Sequence, residues 1–112
     1  MVRPQYARRE QRKYQRYALH PRMTFSIDGG PLIYARCRDI SLGGAFVETS
    51  TIPLFASSIH VVLDLDSREV SVLAIVRWTG PNGIGIQFGA LSARDTHALV
   101  AYFQSSKAGP KD

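Results

Sequence analysis

From Arg22 onward the chain reads as short runs in which apolar and polar residues alternate. Met23, Phe25 and Ile27 stand against Thr24 and Ser26, and Asp28-Gly29-Gly30-Pro31 breaks the run. A second run sets Ile33, Ala35 and Cys37 on one face and Tyr34, Arg36 and Arg38 on the other, giving a small buried side and a basic outer side. In a third, Ala45, Val47 and Thr49 oppose Phe46 and Glu48 until Thr51-Ile52-Pro53. Ile59, Val61, Leu63 and Leu65 form the inward set of a fourth strand, with His60 and Asp64 outward and Asp66-Ser67 as its turn. Val70, Val72, Ala74, Val76 and Trp78 keep one face of a long fifth strand. Its other face carries Leu73 and Ile75, which predicts a strand covered on both sides, with a C-terminal helix as the outer cover. Gly80-Pro81-Asn82-Gly83 is a turn cluster, and Ile84, Ile86 and Phe88 make a sixth strand.

The period then changes from two to about 3.6. Ser92 can cap a helix whose third position is Asp95, and Ala98, Leu99, Tyr102 and Phe103 form an apolar stripe before Ser105-Ser106-Lys107-Ala108-Gly109-Pro110. Six strands without intervening helices predict an antiparallel barrel or sandwich with one helix packed on it. A chain of 112 residues suits one domain with one modest core, and a hydrophobic content of 45% belongs to globular rather than disordered chains. The expected division is a flexible arm at 1–21, a folded unit at 22–105 and a disordered tail at 106–112, with no internal repeat.

Charge sharpens that division. The net charge is +5, yet Arg3, Arg8, Arg9, Arg12, Lys13, Arg16 and Arg22 against Glu10 give the first 22 residues about +6, leaving the rest near neutral. The arm therefore suits a phosphate-bearing partner, be it a nucleotide, a nucleic acid or an anionic membrane surface. One cysteine, Cys37, excludes an intramolecular disulfide and a Cys-based zinc cluster, and alternates inward as a small core residue. The first residues lack the apolar core of a signal peptide and no later run is long enough to span a membrane, so a soluble cytoplasmic protein is expected.

Between the second and third strands lies Cys37-Arg38-Asp39-Ile40-Ser41-Leu42-Gly43-Gly44. Asp39 and Ser41 can bond nearby backbone in a turn, while Gly43 and Gly44 permit positive φ and close approach of a ligand to the main chain. Such a corner at the tip of a hairpin can hold a turn and can also hold an anion. Arg36 and Arg38 line the approach to it.

Catalytic chemistry finds little support. His20, His60 and His97 lack the paired spacing of a metal site, and Asp64 with Asp66 reads as a solvated turn rather than a catalytic pair. Ser41 lies in Ile-Ser-Leu-Gly-Gly, not in a nucleophile elbow, and Gly83-x-Gly85 sits within a strand pattern and opens no helix. We expect no catalytic residues, no metal and no cofactor. A small barrel that binds single-stranded nucleic acid is an alternative, since a basic arm and exposed aromatics suit it. Phe25, Phe46, Trp78, Phe88 and Tyr102 are expected mainly in the core, leaving Tyr6, Tyr14, Tyr17 and Tyr34 as platforms.

Arg12-x-x-x-Arg16 in the arm, followed by Asp39-x-Ser41-x-x-Gly44, resembles the paired motif of the PilZ domain, a bacterial receptor for the second messenger cyclic di-GMP. The resemblance runs from about Arg8 to Gln104 and includes Gly83-Ile84-Gly85-Ile86-Gln87-Phe88, similar to the family's closing strand. Arg8 and Arg12 are also four apart, but the family's second arginine just precedes the first strand, which favours Arg12 and Arg16. The resemblance implies a six-stranded antiparallel β-barrel of split-barrel type with a C-terminal helix, and ligand contacts from Arg12, Arg16, Asp39, Ser41 and Gly44. Gly43 joins them for room and backbone N–H groups, and Gln11, Arg36 and Arg38 are further candidates. It also implies a receptor, monomeric or dimeric, that changes conformation on binding and passes the signal to a partner protein in motility, pilus or exopolysaccharide control. A PilZ-like scaffold that binds a protein and no nucleotide is the second alternative.

Overall fold

The fold is that of a computed structural model, which describes residues 14–66, 68–106 and 110–111. The strands are β1 (Arg16–Tyr17), β2 (Arg22–Ser26), β3 (Ile33–Ile40), β4 (Gly44–Glu48), β5 (Ser58–Asp64), β6 (Glu69–Gly80), β7 (Gly83–Phe88) and β8 (Pro110–Lys111), and the helix α1 covers Ala93–Ser105. The order β2-β5-β6-β7-β4-β3 closes on itself through β2–β3, and all these pairings are antiparallel. The expected six-stranded barrel with a C-terminal helix is therefore what forms. Closure removes the open sheet edges that a six-stranded array would otherwise present.

The short strands β1 and β8 extend the sheet beyond β3, with Tyr17 opposite Ile40 and Arg16–Tyr17 paired to Lys111–Pro110. β1 thus lies within the expected arm, and β8 within the expected tail. Residues 1–13 of the arm lie outside the described residues.

The alternation read from the sequence supplies the core. Phe25, Ile40, Ile59, Val61, Leu63, Val70, Val76, Ile84 and Leu99 are among its fully buried side chains. At about 1.5–3 kcal/mol per buried large apolar side chain, this interior offsets much of the chain-ordering cost. Between β2 and β3, Asp28 and Gly29 both have positive φ (52° and 72°), and Gly30 N–H bonds Ile27 O at 2.9 Å. Those are the φ signs of a type I′ turn, which Asp-Gly favours.

Two expectations about β6 need correction. Trp78 does not continue the inward face of Val70–Val76, because the pairing with β7 shifts register between Val76 and Trp78. Arg77 is the extra residue of a bulge, and after it Trp78 faces outward with 51% of its surface exposed. Nor does the helix cover the outer face of β6, where Leu73 is 61% exposed. Instead, Ala98, Leu99 and Phe103 of α1 join the same cluster as the barrel's inward residues, so the helix closes a mouth of the barrel. Its N-cap is the predicted one: Ser92 Oγ accepts from Asp95 N–H at 3.0 Å.

Among the described residues no helix is long and apolar enough to cross a membrane. Since Leu99 is fully buried where the helix meets the barrel, Leu99→Ala should destabilise the protein by about 2–5 kcal/mol. Denaturant unfolding checks this: the midpoint should fall with the slope kept, and an unchanged midpoint would mean that α1 contributes little to the fold.

Candidate functional site

The site begins with an irregularity in β3. Cys37 pairs with Val47 and Asp39 with Phe46, so Arg38 is an extra residue on β3, a second bulge. Simple alternation would put Asp39 on the inward side with Cys37. The bulge instead aligns it with Phe46 on the outer face, while Ile40 and Ala45 turn inward. Asp39 is nevertheless only 3% exposed. A buried carboxylate needs a charged or hydrogen-bonding partner, and β1 supplies one. Arg16 Nε donates to Asp39 Oδ1 at 2.9 Å, and the Arg16 Nη2 group contacts the same oxygen. The second arginine of the arm pair and the first residue of the corner, 23 positions apart in sequence, thus meet in the fold.

The rest of the corner is a tight turn. Ser41 N–H donates to Gly44 O at 2.8 Å, while Ser41 Oγ accepts from Gly43 N–H at 3.0 Å and donates to Gly44 O at 3.4 Å. Gly43 O accepts from Phe88 N–H at 2.8 Å, tying the turn to the end of β7. Neither glycine has positive φ; among described glycines only Gly29 does. Gly44 is required for a different reason, since a Cβ there would lie 2.0 Å from Ile86 O. At Gly43 the close contact of a Cβ would be with the ring of Tyr14, which is exposed and can move, with Ser41 Oγ at an ordinary 3.7 Å. The expectation that Gly43 aims its N–H at a ligand is also corrected: Ser41 takes that donor.

Behind the corner, Cys37 is fully buried, with Sγ 3.8 Å from Met23 Sδ. Burial, and secondarily the charge of Asp39, push its thiol up from 9.0 to about 12. His20 Nδ1 lies 3.2 Å from Cys37 O, and His60 Nε2 lies 2.9 Å from Ser71 Oγ. Among the described residues no group of three or more His, Cys, Asp or Glu could hold a metal ion.

One part of this face was missed in the sequence. The register runs Asp39–Phe46–Gly85–Trp78 across β3, β4, β7 and β6. Phe46 and Trp78, expected in the core, are outer residues with ring centroids 5.3 Å apart, and the Arg38 guanidinium carbon lies 4.0 Å from the centre of the Phe46 ring. With Glu48, Pro81, Asn82 and Gly83 they line an open groove of about 510 Å³. The signal available was the turn after Trp78 and the glycine at 85, but the bulges that set the parity have no mark in the sequence. Arg36 lies in another row, between Arg22 and Glu48. Arg12 and Gln11 lie outside the described residues.

The family model of the PilZ domain matches residues 10–105. This chain belongs to the PilZ domain family. The PilZ family comprises cyclic di-GMP receptors, and its domain is a binding module. Two solved structures share the PilZ fold seen here. The Bacillus subtilis inhibitor of motility (MotI/DgrA) aligns with a TM-score of 0.71 and 20% identity, over 87% of this chain and 52% of that one. The PilZ domain of CeSA from a cellulose-synthesizing bacterium aligns with a TM-score of 0.66 and 17% identity, over 80% of this chain and 96% of that one. This chain therefore spans about half the length of the motility inhibitor. No curated protein sequence matches it.

In this PilZ domain, Gly44→Ala should destabilise the fold by about 2 kcal/mol or more through overpacking against Ile86, whereas Gly43→Ala should displace Tyr14 at little cost. Thermal unfolding of the two variants checks it, and equal shifts would mean that the turn itself yields. A second expectation concerns pH. The folded state holds the Cys37 proton more tightly than the unfolded chain, so its stabilising effect is complete below about pH 9 and is lost between 9 and about 12. Denaturant midpoints should fall over that range, and fall less steeply in Cys37→Ala.

Proposed function

We propose that this PilZ domain is a cyclic di-GMP receptor, with Arg12, Arg16, Asp39, Ser41 and Gly44 as its ligand site. The observation that supports the reading most is the meeting of Arg16 and Asp39. Guanine carries N1 and N2 donors on one edge and the O6 and N7 acceptors on another. A carboxylate matches the first set, and a planar guanidinium matches the second, stacks on the ring or grips a phosphate. Binding is then an exchange in which the Arg16–Asp39 pair opens and each group takes a complementary edge of the ligand. The buried Asp39 makes the site selective, because a purely anionic ligand would be repelled by it.

Ser41 and Gly44 support the site through the turn, and the Ser41 hydroxyl retains a lone pair for one further donor. Arg12 is the second guanidinium of the proposal. The groove beside Phe46 and Trp78 begins one strand spacing, about 5 Å, from Asp39 and extends about 14 Å along the same row. Its exposed rings suit a stacked base, so Arg38 becomes a stronger candidate contact than Arg36. The protein works as a receptor and not an enzyme: it acts in the cytoplasm and hands its signal to a protein partner in motility, pilus or exopolysaccharide control.

Titration calorimetry tests the reading. Arg12→Ala and Arg16→Ala should each weaken cyclic di-GMP binding roughly ten- to a hundredfold, the loss of a charge-assisted contact, while Arg3→Ala changes it little. Lysine should rescue neither position. Apo stability is measured alongside, since Arg16→Ala also removes a partner from the buried Asp39 and is expected to lower it. Equal losses at all three positions would show that bulk charge alone matters, and comparable binding of single-stranded DNA would favour the nucleic-acid module.

A further inference from the structure

The strand that carries Arg16 is only two residues long, and each of its side chains is held by a different part of the molecule. Successive side chains on a strand point to opposite faces. Arg16 accordingly reaches Asp39 on the barrel, and Tyr17 turns the other way, onto the helix. The Tyr17 ring stacks on Phe103 with centroids 4.5 Å apart and planes 20° from parallel. Phe103 is a buried residue of the last turns of α1, and its other ring neighbour is Tyr102 at 6.2 Å. The backbone between them adds a third hold, since Tyr17 pairs with Ile40, the residue after Asp39.

We propose that Arg16–Asp39 and Tyr17–Phe103 form a single latch, through which the state of Asp39 sets the packing of the C-terminal turns of α1. One peptide unit joins the two contacts, so any shift of the β1 backbone that draws Arg16 off Asp39 also slides Tyr17 across Phe103. In the free protein the latch is closed and the end of α1 is held against the barrel. A ligand whose base donors compete for Asp39 opens the first contact and, with it, loosens the second. The surface that reports occupancy to a partner is then the last two turns of α1, around Leu99 to Ser105, on the far side of β1 from the ligand. The ligand-driven half of this inference rests on the cyclic di-GMP reading; the coupling between the two contacts does not.

Amide hydrogen exchange on the full chain separates the two. In ligand-free protein, Asp39→Asn should speed exchange of the amides from Leu99 to Ser105 about three- to tenfold, the range expected when one aromatic stack no longer resists local opening. Arg16→Gln breaks the same contact from its more exposed side and should do the same. Arg77→Gln, which removes the outer-face bond from β6 to Gln87 of β7, should leave those amides unchanged. Amides of Val61, Val70 and Val76 serve as the internal reference for global unfolding. If neither Asp39→Asn nor Arg16→Gln alters α1 while the reference amides hold, or if the reference amides speed up equally, the latch is overturned. With cyclic di-GMP added, wild type should show faster exchange at the end of α1, and slower exchange there would overturn the ligand-driven opening. Phe103→Leu, which keeps apolar volume but not the stack, should bind the ligand within about threefold of wild type and lose that response. An undiminished response in Phe103→Leu overturns the latch as the route to α1. Absence of binding by wild type overturns the receptor reading and leaves the coupling to be judged by the ligand-free variants.

Discussion

A closed antiparallel barrel allows each strand residue one of two faces, and only an inserted residue can change which face the following side chains take. The candidate site of this protein depends on two such insertions. Arg38 in β3 and Arg77 in β6 are the extra residues of two bulges, and the residues that follow them, Asp39 and Trp78, belong to the same row across the sheet. Without the first, Asp39 would point into an apolar interior. Without the second, the indole of Trp78 would crowd a core already filled by Val76 and Ile84. The bulges convert what would be two packing errors into a polar contact and an aromatic shelf on the outer wall.

The motif residues have structural work that precedes any ligand. Ser41 closes its own turn, Gly44 gives Ile86 room, and Arg16 partners a carboxylate that the fold has buried. A buried charge pair is weak evidence for stability, because desolvation offsets much of the attraction. What such a pair does well is favour one geometry over others. In this fold the pair fixes Arg16 of β1 against the corner while the barrel behind it stays closed. The cost falls on the short strand β1, which is anchored by side chains and by few backbone bonds.

Much of the architecture was legible in the sequence. The period-two runs marked the six barrel strands, Asp-Gly and Gly-Pro-Asn-Gly marked turns, and Ser92 with Asp95 marked the start of α1, because burial on one face imposes a local and repeated pattern. The motif spacing also singled out Arg16 and Asp39, which meet in the fold. Those signals are carried by residue type and near neighbours, which a sequence displays directly.

Only the tertiary structure decided which strands close the barrel, that α1 plugs its mouth and leaves Leu73 exposed, and that Trp78 faces outward. It also decided that Gly43 and Gly44 matter for space and hydrogen bonding rather than for positive φ. Each of these is a property of a pair of strands or of a packed surface. A bulge is defined by the partner strand it opposes, and a steric limit such as that at Gly44 by a carbonyl more than forty residues away in the chain. Alternation along one strand contains neither quantity, so sequence reading could name candidate residues and could not assign the faces of Asp39 and Trp78.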